Sequence, residues 1–543
     1  MPSPFSPVKD VTGSHMLIGG GVPLGQLPAF HALHRPLQPM VTVEDRTVTH
    51  GEMEARANRR ARALQALGVE EGDFVTVLLP NTIEHFETTY AIWKLGATPN
   101  VVSWRLTDIE LREILDLVRP KVVVGCDPAR APGWKVLPET WTPDPALSAE
   151  ALPEKLSKYW KAMTSGGSTG RPKVIVDHMP AKWDPTVAIS KQPVGGTVVN
   201  PGPLYHNAPF TNVHLALAAG NHAVNLSKFD PVRTLQMIAL HKANWVYMVP
   251  TMMIRIWRLP AEQRNSYDLS SLDTVMHMAA PCSVWLKEMW INWLGPEKIW
   301  ELYAGTEGQG VTMLDGTQWL GHRGSVGRVQ PGSRLQIINE QGEKCAPGEI
   351  GEIYFLPNCG RQSTYHYLGA EAKNLGQWES LGDLGHLDED GYLYLADRRT
   401  DLIISGGINV YPAEIESAIE AHPDVESSVA IGMPDDDMGQ IVHAIVHRRP
   451  GSERGLGVAD LMKHLEGRIA SYKLPRSVEF VDTPVRDDTG KVRRSAFRQA
   501  RLARQQSASE ARTGTRSGGP LMEPIHEAAK GQGGAADLIA MEE

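Results

Sequence analysis

Between His50 and Leu67 the apolar or small positions Met53, Ala57, Ala61 and Leu64 recur every three or four residues, with Arg56, Arg59, Arg60 and Arg62 between them. That spacing predicts an amphipathic helix with its arginines toward solvent, stopped by Gly68. Ile83 to Leu95, ended by Gly96, and Asp108 to Val118 read as two further helices. Phe74 to Leu79 and Lys121 to Gly125 are short apolar runs, predicted as buried strands. Short apolar strands alternating with helices indicate an α/β sheet with mainly parallel strands, and the alternation returns from 197 to 300. From 325 to 396 the texture shifts to short strands and glycine-rich turns, such as Leu335 to Ile338 and Glu349 to Phe355, which predicts a small β-rich subdomain. Asp397-Arg398-Arg399-Thr400-Asp401 then interrupts two apolar runs. Beyond it Glu414 to Ala421 reads as a helix, and Ser428 to Met433 and Ile441 to His447 as strands.

The predicted organisation is α/β. A flexible segment, 1–27, precedes a large domain of α/β subdomains with a β-rich subdomain, 28–396. A boundary at 397–401 leads to a small α+β domain, 402–503. The tail, 504–543, is glycine-rich with few bulky apolar residues and reads as disordered. Gly13-Ser14-His15-Met16 has the form of a vector remnant, and a natural flexible end is the equal alternative.

Composition narrows the class. The chain has 543 residues and a formal charge of −9, a balance that speaks against nucleic acid as the main partner. Four cysteines without a CxxC pair exclude a disulfide scaffold and disfavour structural zinc. No apolar run of about 18 residues predicts a membrane span. A soluble cytoplasmic enzyme is the expectation.

Five segments carry candidate chemistry. In Thr164-Ser165-Gly166-Gly167-Ser168-Thr169-Gly170-Arg171-Pro172-Lys173, glycines allow close backbone approach, and free N–H groups with hydroxyls form a cradle for phosphate oxygens. It is not the Walker pattern, because Pro172 precedes Lys173 and Val174 follows it. A mobile Gly/Ser linker is the competing local reading. Tyr303-Ala304-Gly305-Thr306-Glu307-Gly308 and Gly382-Asp383 read singly as turns. The remaining two are Arg398 to Glu416 and Asp487-Asp488-Thr489-Gly490-Lys491.

In this order the five segments resemble the motifs of the adenylate-forming superfamily, which includes acyl-CoA synthetases, peptide-synthetase adenylation domains and luciferases. The resemblance runs from about residue 40 to about 500. It implies that a carboxylate is joined to AMP with release of pyrophosphate, and that a nucleophile then displaces AMP. By resemblance, Ser165, Gly166, Gly167, Ser168, Thr169, Gly170 and Lys173 belong to the ATP phosphate loop. Glu307 would bind Mg²⁺, and Thr306 the α-phosphate. Tyr303 would lie at the adenine and Ala280 would belong to the ATP/AMP site, while Asp383 and Arg398 would hold the ribose. Lys491 would reach the α-phosphate and the attacked carboxylate. Thr400 matches the hinge of a mobile C-terminal domain whose other face, near Ser405, Gly406 and Gly407, serves the acceptor step. Gly166, Val174, Ala304 and Thr400 depart from the family pattern, but no charged catalytic group is missing.

The resemblance sets the acyl pocket among Tyr205, His206, Asn207, Phe210, Tyr247, Met252, Met278 and Ala279. Their methionine and aromatic content suits a bulky apolar or aromatic acid, although such residues often just fill core gaps. His206 is the best histidine candidate, whereas His214 and His277 read as satisfied core histidines. The texture is closest to bile-acid and fatty-acid CoA ligases, so CoA is the leading acceptor. Direct transfer to an amine is the alternative, and a non-catalytic nucleotide-binding protein is a third reading. Arg493, Arg494, Arg498, Arg501 and Arg504 would meet a CoA phosphate or form a solvated helix face, with the solvated face favoured.

Overall fold

The computed structural model describes residues 21–166, 172–398, 401–406, 408–435, 437–452, 455–487 and 490–513. The chain divides into two compact units: Met1–Thr400 with Asp487–Lys491, and Asp401–Arg486 with Val492–Glu543.

The first unit holds two large sheets. In one, the parallel strands His222–Asn225, Thr197–Asn200, Trp245–Met248, Thr274–Met278 and Ile299–Ala304 lie side by side. Antiparallel Val311–Asp315 and the β-rich strands from Ser325 to Arg398 extend it. In the other, Thr98–Val101, Phe74–Val77, Val122–Val124 and Val136–Leu137 run parallel. Ala162–Gly166 joins them in parallel, then Pro172–Asp177 and Tyr365–Leu368 in antiparallel fashion.

The helices form where caps and period agree. Asp108–Val118 starts at Thr107, whose side chain accepts from Glu110 N while the Glu110 carboxylate accepts from Thr107 N. His50–Ala66 carries the same reciprocal cap at Thr49 and Glu52. One of its arginines departs from expectation: Arg60 is buried, donates to Glu87 at 2.9 Å and packs over the Trp141 ring. A guanidinium accepts burial when a carboxylate and an aromatic face replace water.

The second unit packs the helix Pro412–Glu420 on the antiparallel strands Val425–Asp435 and Gly439–Arg448, with Ser477–Val481 parallel beside them. Two expectations about the ends need correction. Val22–Pro23 pairs with Lys182–Trp183, and Leu24 and Leu27 are fully buried, so ordered chain begins before residue 28. The last helix, Arg494–Thr513, runs beyond 503. Its arginines are not a bare solvated face: Arg501 and Arg504 pair with Glu479, and Arg498 donates to the Gly432 carbonyl.

Candidate active site

The phosphate-loop segment joins two antiparallel strands whose pairing continues to Ser165 opposite Lys173 and Gly166 opposite Pro172. Gly167, Ser168, Thr169 and Gly170 lie outside the described residues, as do Thr400 and Gly407. Strand pairing delivers Lys173 to Glu307, its Nζ 3.2 Å from Glu307 Oε1. Tyr367 meets the same oxygen, donating its hydroxyl at 2.6 Å. The Lys173 ammonium also sits 4.0 Å from the Tyr367 ring centroid. Burial, and then the adjacent Glu307 carboxylate, push the Tyr367 hydroxyl pKa up, so it stays a donor.

Glu307 follows the strand Ile299–Ala304, in the turn with Thr306. Gly305 leaves room there for two side chains: a Cβ would come within 2.3 Å of Leu381 Cδ1 and 3.0 Å of Glu307 Oε2, so both would have to shift. Ala304, where the family carries glycine, is exposed, so its methyl is accommodated. Behind the turn, Gln309 Nε2 donates to Tyr365 at 3.1 Å and to Glu379 at 3.1 Å.

The Tyr303 hydroxyl donates to Asp383 Oδ2 at 2.7 Å, which brings the two expected nucleoside residues together. Arg398 is the strand partner of Asp383. Lys491 closes a tight turn: its N–H donates to Asp487 Oδ1 and its carbonyl accepts from Asp487 N, each at 2.9 Å. Ser405 and Gly406 end one strand of the hairpin Ile403–Ser405 and Ile408–Val410.

The expected acyl residues separate into edge and core. His206 occupies the N-cap position of the helix Asn207–Ala218 without a side-chain capping bond, and Tyr205 lies against its ring. Asn207 Oδ1 accepts from Lys161, a buried lysine that also reaches Thr211 Oγ1 at 2.9 Å and Asp177 at 3.3 Å. Met278, Ala279 and Ala280 leave the strand Thr274–Met278, and Ala279 holds a left-handed φ of +74°. Tyr205, Phe210, Tyr247, Met252 and Met278 are buried, and the Phe210 ring lies 4.1 Å from the His214 ring. His214 is a core histidine bonded to the Phe210 carbonyl at 3.0 Å, and burial lowers its pKa to about 3. His277 is buried but not satisfied. Neither ring nitrogen has a hydrogen-bond partner, and Glu301, 3.8 Å away, is paired with Lys287 at 2.7 Å.

Sequence reasoning missed Tyr367. Tyr365-His366-Tyr367 carries no motif, and only its insertion beside Pro172–Asp177 brings it to Glu307. The donor set also bears on a metal. Among the described residues no group of three or more His, Cys, Asp or Glu could hold one. A single buried carboxylate such as Glu307 suits magnesium only where substrate phosphates and water supply the remaining ligands, since magnesium takes few protein ligands.

A large α/β unit followed by a small α+β unit is the architecture of adenylate-forming ligases, and the chain is an enzyme of that class. It belongs to the AMP-binding enzyme family, whose model matches residues 29–359, while the AMP-binding enzyme C-terminal domain matches 414–491. It is 31% identical to a feruloyl-CoA synthase from Amycolatopsis sp, over 88% of this chain and 98% of that protein. It is 29% identical to the fatty acid–[acyl-carrier-protein] ligase ScoC of Streptomyces coeruleorubidus, over 88% and 96%. The crystal structure of ATP-bound MatB from Rhodopseudomonas palustris matches with a TM-score of 0.72 at 25% identity, covering 89% of this chain and 99% of that one. No helix among the described residues is long and apolar enough to cross a membrane.

Proposed function

We propose that the enzyme activates an apolar or aromatic carboxylic acid with ATP and transfers the acyl group to CoA. The convergence of Lys173 and Tyr367 on Glu307 carries this reading: a cation and a hydroxyl hold one carboxylate beside a phosphate loop. The substrate carboxylate oxygen attacks the α-phosphorus, and the bond to pyrophosphate breaks. The loop from Ser165 to Gly170 and Lys173 holds the β- and γ-phosphates, and Thr306 bonds the α-phosphate. Tyr303 faces the adenine with Ala280 in the same nucleotide site, Asp383 takes the ribose hydroxyls, and Arg398 steadies ribose and phosphate. Glu307 would hold Mg²⁺, which when bound neutralises phosphate charge. Lys491 donates to the oxygens that gain charge in the transition state. In the second step the CoA sulfur attacks the acyl carbonyl, and AMP leaves. The small domain turns about Thr400 between the steps, exchanging Lys491 for the face near Ser405 to Gly407.

The relatives support a thiol acceptor, one being named for CoA and one for a carrier protein. Mass spectrometry tests the reading on a panel of aryl, steroid and fatty acids supplied with ATP, Mg²⁺ and either CoA or amines. An acyl-CoA product from an apolar or aromatic acid is expected. AMP release that ignores CoA and rises with amine would replace it with amide synthesis.

A further inference from the structure

The turn that carries Lys491 lies in sequence between Arg486 and Arg494, and both arginines end on one carboxylate. Arg486 Nη2 donates to Glu416 Oε2 at 2.9 Å. Arg494 grips the same group with two donors, Nε to Oε1 at 3.0 Å and Nη2 to Oε2 at 2.9 Å. The Ala430 N–H supplies a further bond to Oε1 at 2.9 Å. Glu416 is 2% exposed and stands on the helix Pro412–Glu420. Each arginine has another anchor. Arg486 Nε reaches Glu420 Oε1 at 2.9 Å, and Arg494 Nη1 reaches Asp401 Oδ2 at 2.8 Å. Asp401 directly follows Thr400, the residue that matches the hinge.

As pure stabilisers these buried charges are a poor choice, since taking them out of water offsets much of their attraction. What the cluster supplies is fixed geometry. Bidentate guanidinium–carboxylate pairs hold direction as well as distance. Burial alone would raise the Glu416 carboxyl, but Arg494 and Arg486 hold it below its usual range, so the anchor stays charged. Seven residues, 487–493, separate the two arginines, so the turn leaves and returns to one fixed point.

We propose that Glu416, through Arg486 and Arg494, is a positioning residue for Lys491, fixing both ends of its turn, and that Arg494 ties this anchor to Asp401, next to the hinge position. The proposal rests on the reading of Lys491 as the adenylation lysine. A lysine that must meet an oxygen at hydrogen-bond distance gains from such an anchor, because a shift of about 1 Å at a reacting group costs up to about a hundred-fold in rate.

The test uses Glu416→Gln and Arg494→Lys in the full chain. Glutamine keeps the shape and loses the charge, whereas lysine keeps the charge and loses the planar fork. Acid-dependent ATP–pyrophosphate exchange measures the first step. Thioester formation from supplied acyl adenylate and CoA measures the second. Each variant is expected to lower kcat of exchange by about ten-fold or more, with KM for ATP and acid and the second step within about two-fold of the parent. Adding Glu416→Gln to Lys491→Ala is expected to leave the residual exchange unchanged. Should Glu416→Gln fail to fold, Arg494→Lys decides alone. Exchange within about two-fold of the parent overturns the proposal. So does an equal loss in both steps, or a further loss on top of Lys491→Ala. If the unmodified enzyme exchanges with no acid, the adenylation reading fails first, and the variants play no part in that result.

Discussion

Glu307→Gln separates the chemistry of the site from its contribution to folding. The amide keeps an oxygen in place for the Tyr367 hydroxyl, now 2.6 Å from Oε1, but removes the charge that draws Lys173. Replacing a charged acceptor by a neutral one costs about 1 kcal/mol of the Tyr367 bond. The Lys173 side chain is 23% exposed, so water replaces part of that pair and its loss costs under about 1 kcal/mol. The folding penalty is thus at most about 2 kcal/mol, which lowers Tm by a few degrees in a chain of this size. The catalytic penalty is larger. Preorganised stabilisation of charge at the reacting centre is worth about a hundred- to a thousand-fold in rate, and Glu307 would contribute to it by holding Mg²⁺ against the phosphates. ATP–pyrophosphate exchange, titrated with Mg²⁺ beside a thermal melt, reads both effects. The expected result is a small change in Tm and a rate loss of about a hundred-fold or more. Exchange within about three-fold of the parent at every Mg²⁺ concentration refutes the assignment of Glu307.

Other outcomes are equally specific. Lys491→Ala is expected to cut adenylate formation to a small residual rate and leave thioester formation from supplied acyl adenylate largely intact, and pyrophosphate release at the parent rate contradicts this. Ala279→Gly relieves a left-handed φ of +74° at an exposed position and is expected to raise thermal stability by up to about 1 kcal/mol, with a drop in Tm as the opposing result. Acid should destabilise the first unit early. Burial lowers His31, His85 and His222 from 6.5 to about 4, and His50 and His214 to about 3. Below pH 6.5 the unfolded chain takes up protons that the folded chain refuses, so stability falls as pH drops from 6.5 toward 4. Melts at stepped pH check this, and a Tm unchanged between pH 6.5 and 5 speaks against neutral buried histidines.

Local signals and long-range ones differed in how far the sequence revealed them. Asp108–Val118 was legible to the residue because its cap is written in Thr107 and Glu110. The strand at Ser428 to Met433 was found but extends to Val425–Asp435, since pairing with Gly439–Arg448 prolongs it beyond its apolar centre. Charged residues were the main blind spot. Arg60 reads as surface until the fold supplies Glu87, and the buried pairings of Lys161 with Asp177, Lys287 with Glu301 and Glu416 with two arginines carry no local signal. Tyr303 and Asp383 came from motif order, and the structure joins them by a hydrogen bond. Tyr367 had no such order to announce it. The last helix was truncated for the same reason as the charges: its arginines find Glu479 and Gly432 only through tertiary packing.

Pyrophosphate exchange without CoA tests the central claim most directly. Labelled pyrophosphate is expected to enter ATP only when a suitable apolar or aromatic acid is present, because the acyl adenylate forms reversibly before any acceptor is needed. Failure of every aryl, steroid and fatty acid in the panel to support exchange, or exchange that proceeds equally well without acid, would contradict the account.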